Sequence, residues 1–239
     1  MLILFTLIPV KLTIMIQIQQ STLDFLNDLR DHNDKDWFQK NKKRYDDARL
    51  NFEGFVQALI DKISEFEPLL KGLEAKTCTY RIYRDIRFSN DKTIYKTHLG
   101  AFIVKGGKNN GDKFAGHYFH VEPGNNSLIA GGAYMPPMVW LTAIRENIAE
   151  KGDHLVKILT DRTFADYFGE IEGEKLKSSP KGFPKDHKHI ELLRMKSLLA
   201  ARTITDKEVV SDKCFDLVIR GSRIMKPLND FLNDYEAWT

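Results

Sequence analysis

The order of patterns along this 239-residue chain predicts an α+β fold, with a mostly antiparallel central sheet flanked by N-terminal and C-terminal helices. Three observations carry that reading. Apolar residues recur at steps of three and four from Leu23 to Phe66, strand-like segments cluster between Thr79 and Tyr134, and helical periodicity returns from Met138 onward. The strands do not alternate with helices, as a doubly wound parallel sheet would require. Residues 15–239 therefore read as a single α+β domain.

The chain opens on an apolar run, MLILFTLIPV, whose first basic residue, Lys11, follows it instead of preceding it as in a secretory signal. Met15 begins a more ordinary opening, so residues 1–14 are read as a non-native or extra N-terminal extension. Ser21 to Asp24 resembles a capping box, and Leu23, Leu26 and Leu29 follow at helical spacing. Asn33-Asp34 supplies a second N-cap. The series Trp37/Phe38, Tyr45, Ala48, Phe52, Phe55/Val56, Leu59, Ile63 and Phe66 then runs on. Unbroken it would span about 45 Å, so a break is expected before Tyr45 or near Gly54, with Pro68 and Gly72 closing the helix.

Thr79 to Arg84 alternates like a strand, with Tyr80 and Ile82 on one face and Arg81 and Tyr83 on the other. His98–Lys105, Phe114–Val121 and Leu128–Tyr134 read as an antiparallel meander joined by glycine- and asparagine-rich turns. Pro136-Pro137 starts a helix with Met138, Leu141, Ile144 and Ile148 as its buried stripe, and a short helix through Leu155 and Leu159 comes next. Residues 169–186 are loop-like. A helix near 187–197, a strand at Ala201–Ile204, a capping box at Thr205–Glu208 and a closing helix interrupted at Gly221 complete the chain.

Composition narrows the function classes. The chain is 42% hydrophobic and 29% charged, an ordinary soluble balance, and 15 Gly with 8 Pro are too few for a collagen or low-complexity protein. Cys78 and Cys214 cannot make a disulfide framework or a zinc site, and free cysteines favour the cytoplasm. No apolar stretch of about 18 residues exists, so no membrane is expected. His187 and His189 lie two apart on a predicted helix and face different ways, so no metal site is expected. Nucleotide-binding glycine fingerprints and a Gly-x-Ser-x-Gly elbow are absent from the sequence, and no cofactor is predicted.

The net charge of +3 is unevenly spread. Residues 79–98 hold five cations against two carboxylates, residues 175–196 seven against two, and the remainder sums to −5. A mildly acidic body with two basic segments points to a local anion site more than to a surface that wraps DNA. In the first segment Arg81, Arg84 and Arg87 fall within seven residues, followed by Ser89, Lys92 and Lys96. Guanidinium groups, a hydroxyl and lysines are what a phosphate or carboxylate site uses. The structural alternative is that Asp85 and Asp91 pair with these arginines and staple the loop to the sheet. In the second segment Lys181, between Pro180 and Gly182, is a second hand on an anion or part of a solvated loop. Tyr95, His98 and His120 are the candidates for proton transfer, against ordinary hydrogen bonding or packing. Tyr118 shares a face with His120, and His117 lies on the other. Cys78, near Arg81, is a core thiol or one with a lowered pKa.

The stretches Phe25–Leu29, Asn33–Phe38, Asn41–Tyr45, Arg81–Ser89, Asp91–Lys96, Gly131–Tyr134, Ile144-Arg145 and Pro180–Gly182 resemble the domain of unknown function 2461 family, over nearly the whole chain from Thr22 to Trp238. Thr93-Ile94 stands where that pattern expects a proline before Tyr95. The resemblance implies an intracellular single-domain α+β protein and implies no reaction. The leading expectation is thus a protein that binds a phosphate- or carboxylate-bearing small molecule through Arg81, Arg84, Arg87, Ser89, Lys92, Lys96 and Lys181, with or without catalysis. A nucleic-acid-binding module is the alternative, its two basic segments forming one stripe with Tyr83, Phe88 and Tyr95 for stacking. A protein-interaction module, presenting Trp37, Phe38 or Trp140 in an exposed patch, is the third.

Overall fold

The computed structural model describes residues 16–85, 87 and 93–235. Residues 1–14, Phe88, Ser89, Asp91 and Lys92, singled out above, lie outside the described residues.

Helix α1 (Gln20–Asp31) buries Leu23, Phe25, Leu26 and Leu29. It starts one residue before the expected capping box. Gln19 is the N-cap without a side-chain bond, and its N–H is taken by Asn51 Oδ1 at 2.9 Å. The Ser21 hydroxyl turns to Gln19 Oε1 instead. Helix α2 (Lys35–Lys40) is capped as expected, Asp34 accepting from the backbone N–H of Asp36 and Trp37 at 2.9 Å. Asn41 then ends α2 and starts α3 (Lys42–Ile63). The break therefore falls before Tyr45, and α3 passes Gly54 without interruption. Helix α4 (Ala75–Cys78) is a single turn.

The sheet consists of β1 (Leu99–Ile103), β2 (Gly116–Val121), β3 (Ser127–Ala133) and β4 (Leu198–Ile204), in that spatial order and wholly antiparallel. The expected strand at 79–84 is instead an irregular edge. Thr79 bridges Ala101 and Tyr83 bridges Tyr95, with Tyr80 N–H to the Gly100 carbonyl and Lys96 N–H to the Ile82 carbonyl. Ile82 is buried while Tyr80 is exposed, so the two do not share a face. The ladder is interrupted because its partner, residues 94–98, is still bending into β1.

Helices α5 (Met138–Leu159), α6 (Arg162–Phe168), α7 (Ile190–Leu193), α8 (Asp206–Val209) and α9 (Cys214–Asn233) complete the chain. Helix α5 absorbs the two helices expected there and kinks at Lys151, φ −119°. Its buried stripe begins at Trp140, because Met138 is exposed. Helix α7 is one turn, shorter than expected, and β4 begins three residues earlier. Thr205 and Glu208 form the expected capping box. Helix α9 is continuous through Gly221, where a Cβ would sit 2.9 Å from the Tyr167 hydroxyl; that glycine serves close packing, not a break.

One face of the sheet carries Ala101, Phe119 and Ile129 into the core against Phe52 and Phe55 of α3. Along α9, Met225 lies against Gly131 of β3. The other face presents half-buried Phe102, Tyr118, His120 and Leu128. Arg145 of α5 is buried and donates to the Leu193 and Met195 carbonyls at 2.8 and 3.2 Å, pinning α5 to the chain that enters β4. Phe38 and Trp140 are packed, Trp140 donating to the Leu232 carbonyl, and Trp37 is half-buried between Phe25 and His32. These three side chains therefore make no exposed patch. No helix among the described residues is long and apolar enough to cross a membrane.

Candidate functional site

The irregular edge and the first half of α3 enclose a cleft of about 950 Å³. Helical spacing puts Lys42, Tyr45 and Arg49 on the face of α3 that looks into it, and residues 79–85 form the opposite wall with Tyr80, Arg81 and Tyr83. Lys76, Lys96 and Lys108 complete its basic lining, against the carboxylates Asp46, Glu53 and Asp85.

All three carboxylates are engaged. Lys42 pairs with Asp46 at 2.5 Å, Arg49 with Glu53 at 3.1 Å, and Arg87 chelates Asp85 at 2.8 and 2.6 Å. Those bonds from Arg87 hold the Asp85 carboxyl down at about 2. Among the described residues, Lys76, Arg81, Lys96 and Lys108 have no carboxylate within ion-pair distance. Lys108 donates to the Thr77 carbonyl at 3.3 Å, and Lys96 lies 5.1 Å over the Tyr80 ring. Burial, and then the charge of Arg81, lowers the Lys96 pKa.

Of the residues singled out in sequence, Arg81 and Lys96 thus share one cleft. Arg84 turns to the Thr93 hydroxyl, and Arg87 is held by Asp85 two residues before it, a pair within the segment itself; Asp91, the other carboxylate weighed for stapling, lies outside the described residues. The Lys181 segment is elsewhere. Glu172 bridges the outer side of β4 at Leu199, whereas Thr79 bridges the outer side of β1, so the two basic segments flank opposite edges of the sheet. Five strand spacings separate those edges, about 24 Å, and the segments do not form one stripe. Tyr95 is 2% exposed and stacked on Phe38 at 4.0 Å, a packing ring outside the cleft. Burial pushes the Cys78 thiol up, not down. The sequence reading missed Lys42, Tyr45, Arg49, Lys76 and Lys108. The first three announce themselves by their spacing of three and four on one helix.

Next to Lys96 and Tyr80, the strands bring His98 and His120 together, ring centroids 5.1 Å apart. His120 Nε2 donates to the Asn126 carbonyl at 2.7 Å, which leaves Nδ1 to accept from the Tyr118 hydroxyl at 3.0 Å. Glu122 Oε2 stands 3.9 Å from both imidazoles, and its Oε1 accepts from Thr97 at 2.7 Å. Gly100 lies beneath, where a Cβ would sit 3.0 Å from the Tyr118 hydroxyl. Among the described residues no three His, Cys, Asp or Glu side chains are placed to hold a metal ion. Burial, then the neighbouring His120, lowers the His98 pKa to about 4, with Glu122 opposing. Burial likewise lowers that of His120 and raises that of Tyr118.

This arrangement gives His98 a signature in stability. The unfolded chain takes up the proton near pH 6.5 and the folded one only near 4. The contribution is therefore complete above pH 6.5 and lost as pH falls toward 4, amounting to about 3 kcal/mol. Urea unfolding at intervals across that window should show wild type losing this stability, and His98→Gln losing correspondingly less. Parallel curves for the two proteins would contradict it.

The profile of the family described as a conserved hypothetical protein, DUF2461, matches residues 21–231, which include the cleft walls, the whole sheet and nearly all of α9. No curated protein and no solved structure matches the chain. With the family's profile spanning most of its length, the chain belongs to the DUF2461 family of conserved hypothetical proteins.

Proposed function

We propose that this protein binds a small molecule bearing a phosphate or carboxylate group in the cleft between α3 and residues 79–85 with Lys96. The observation that carries the reading is the set of four cations, Lys76, Arg81, Lys96 and Lys108, converging on one concavity whose carboxylates are already engaged or lie beyond ion-pair reach of them. Clustered like charges repel, and an anionic ligand relieves that repulsion while accepting charge-assisted hydrogen bonds. Arg81 offers the planar fork that fits two oxygens of one phosphate or carboxylate, and Lys96 offers a point charge. Tyr80 and Tyr83, both exposed, supply ring surface and hydroxyls for the rest of the molecule.

A thermal-shift series with pyrophosphate, glucose 6-phosphate, citrate and uncharged glucose, at low and high salt, tests this. A ligand at about 100 times its dissociation constant stabilises by about 2.7 kcal/mol. At least one anion should raise the midpoint where glucose does not, with modest loss in salt. A response only to oligonucleotides, falling steeply with salt, would favour the nucleic-acid reading. No shift with any anion would contradict the proposal.

A further inference from the structure

Within the basic cleft the four cations stand as two pairs, and the backbone decides which goes with which. The chain at 79–82 runs antiparallel to residues 96–101. Thr79 bridges Ala101, Tyr80 N–H reaches the Gly100 carbonyl, and the Ile82 carbonyl accepts from Lys96 N–H. Arg81 and Lys96 therefore meet beside the start of β1. Helix α4, which carries Lys76, precedes Thr79 and so lies toward the other end of β1. The turn Lys108–Asn110 follows that end and is seated on α4. Gly107 passes so close that a Cβ there would sit 2.8 Å from the Thr77 carbonyl oxygen. Lys76 and Lys108 form the second pair.

The amines keep this division. Lys108 Nζ donates to the Thr77 carbonyl at 3.3 Å, whereas Lys96 Nζ lies 5.1 Å over the ring of Tyr80, three residues on. The chain leaves α4 into extended backbone at Thr79, which sets these two anchoring points on the order of 10 Å apart. The charges act in the same grouping. Burial and then Arg81 lower the pKa of Lys96, while Lys108 acts on the Cys78 thiol, opposing the rise that burial causes. A single phosphate reaches its donors over about 3 Å on each side, so it engages one pair and leaves the other without a counter-charge. The residues between the pairs, Thr79 and Tyr80, line the same cleft with a hydroxyl and a phenol.

We infer that the cleft takes a molecule with two phosphate groups at opposite ends of a short hydroxylated chain, a bisphosphate of sugar size. The inference rests on the anion reading above and adds the second anionic group and the spacer to it. Arg81 and Lys96 hold one phosphate, the guanidinium fork across two oxygens and the ammonium beside it. Lys76 and Lys108 hold the other. The hydroxyls of Thr79 and Tyr80, each donor and acceptor, meet those of the linking chain. With one phosphate seated, the second contact is intramolecular, so a bisphosphate gains over a monophosphate at each pair. Pyrophosphate, whose two phosphates share one oxygen, is highly charged but too short to span the pairs.

Isothermal titration of the full chain with fructose 1,6-bisphosphate, fructose 6-phosphate and pyrophosphate at one salt concentration tests the inference. The bisphosphate should bind about tenfold or more tighter than either of the others. Lys76→Ala with Lys108→Ala should bring the bisphosphate down to the level of fructose 6-phosphate, and leave fructose 6-phosphate itself within about threefold. Lys76→Ala alone, at an exposed position on α4, should show part of the same loss and does not touch the Lys108 turn. Fructose 6-phosphate or pyrophosphate binding as tightly as the bisphosphate, or bisphosphate affinity unchanged in both variants, would overturn the inference and leave the single-anion reading in place. A short oligonucleotide binding more tightly than the bisphosphate would overturn it by assigning the two pairs to a phosphodiester backbone. No binding by any anion would overturn both.

Discussion

Replacing Phe38 by alanine should lower the stability of the protein by about 3–5 kcal/mol, the usual range for truncating a fully buried phenylalanine. Phe38 is 1% exposed. Its ring stacks on Tyr95 at 4.0 Å and 13°, and tilts against Tyr45 at 5.1 Å and Tyr83 at 6.2 Å. It therefore joins α2, α3 and the bridged pair Tyr83 and Tyr95 through one side chain. Asn33 closes the same joint from the backbone side, donating to the Tyr95 carbonyl at 2.9 Å and accepting from the N–H groups of Ile94 and Tyr95 at 3.0 and 2.9 Å. Tyr45 and Tyr83 line the basic cleft, so loss of the ring behind them should also loosen the wall that positions Arg81. Urea unfolding gives the measurement. A loss below about 1 kcal/mol would mean that the rings around Phe38 close the void, contrary to the packing described.

Much of this architecture was legible in the residues, for physical reasons that also explain the failures. The meander could be read because β1 to β3 alternate against a single buried face. The Asp34 cap and the Thr205–Glu208 box could be read because capping needs only local spacing. The break at Asn41 was legible only as one of two places, before Tyr45 or near Gly54, because both a polar residue and a glycine can interrupt an apolar series. Gly221 misled because a glycine in a helix looks the same whether it ends the helix or lets Tyr167 approach, and only the tertiary contact distinguishes the two. The apparent strand at 79–84 misled because alternation reports side-chain direction and not whether a partner strand runs straight beside it. Within the site, sequence located Arg81 and Lys96 by charge density, and paired His98 with His120 only as separate candidates. It had no means to bring α3 across to them. Nor did it separate Lys181 from the rest, since strand order decides which edge each basic segment flanks.

The double substitution Arg81→Ala with Lys96→Ala should abolish anion binding while leaving the fold in place. Arg81 is exposed and Lys96 half-buried, and neither makes an ion pair within the described residues, so removing them empties no core and strands no carboxylate partner. Each lost charge-assisted hydrogen bond to an anion is worth about 1.5–3 kcal/mol. The two together correspond to a weakening of about a hundredfold or more. Lys181→Ala, by contrast, removes an exposed cation at the opposite edge of the sheet and should leave affinity within about threefold. The direct measurement is isothermal titration of the tightest anion from the thermal-shift series into wild type, Lys181→Ala and the double variant at one salt concentration. Binding retained by wild type and Lys181→Ala but lost in the double variant is the predicted result. Equal affinity in all three proteins would contradict the assignment of the site to Arg81 and Lys96.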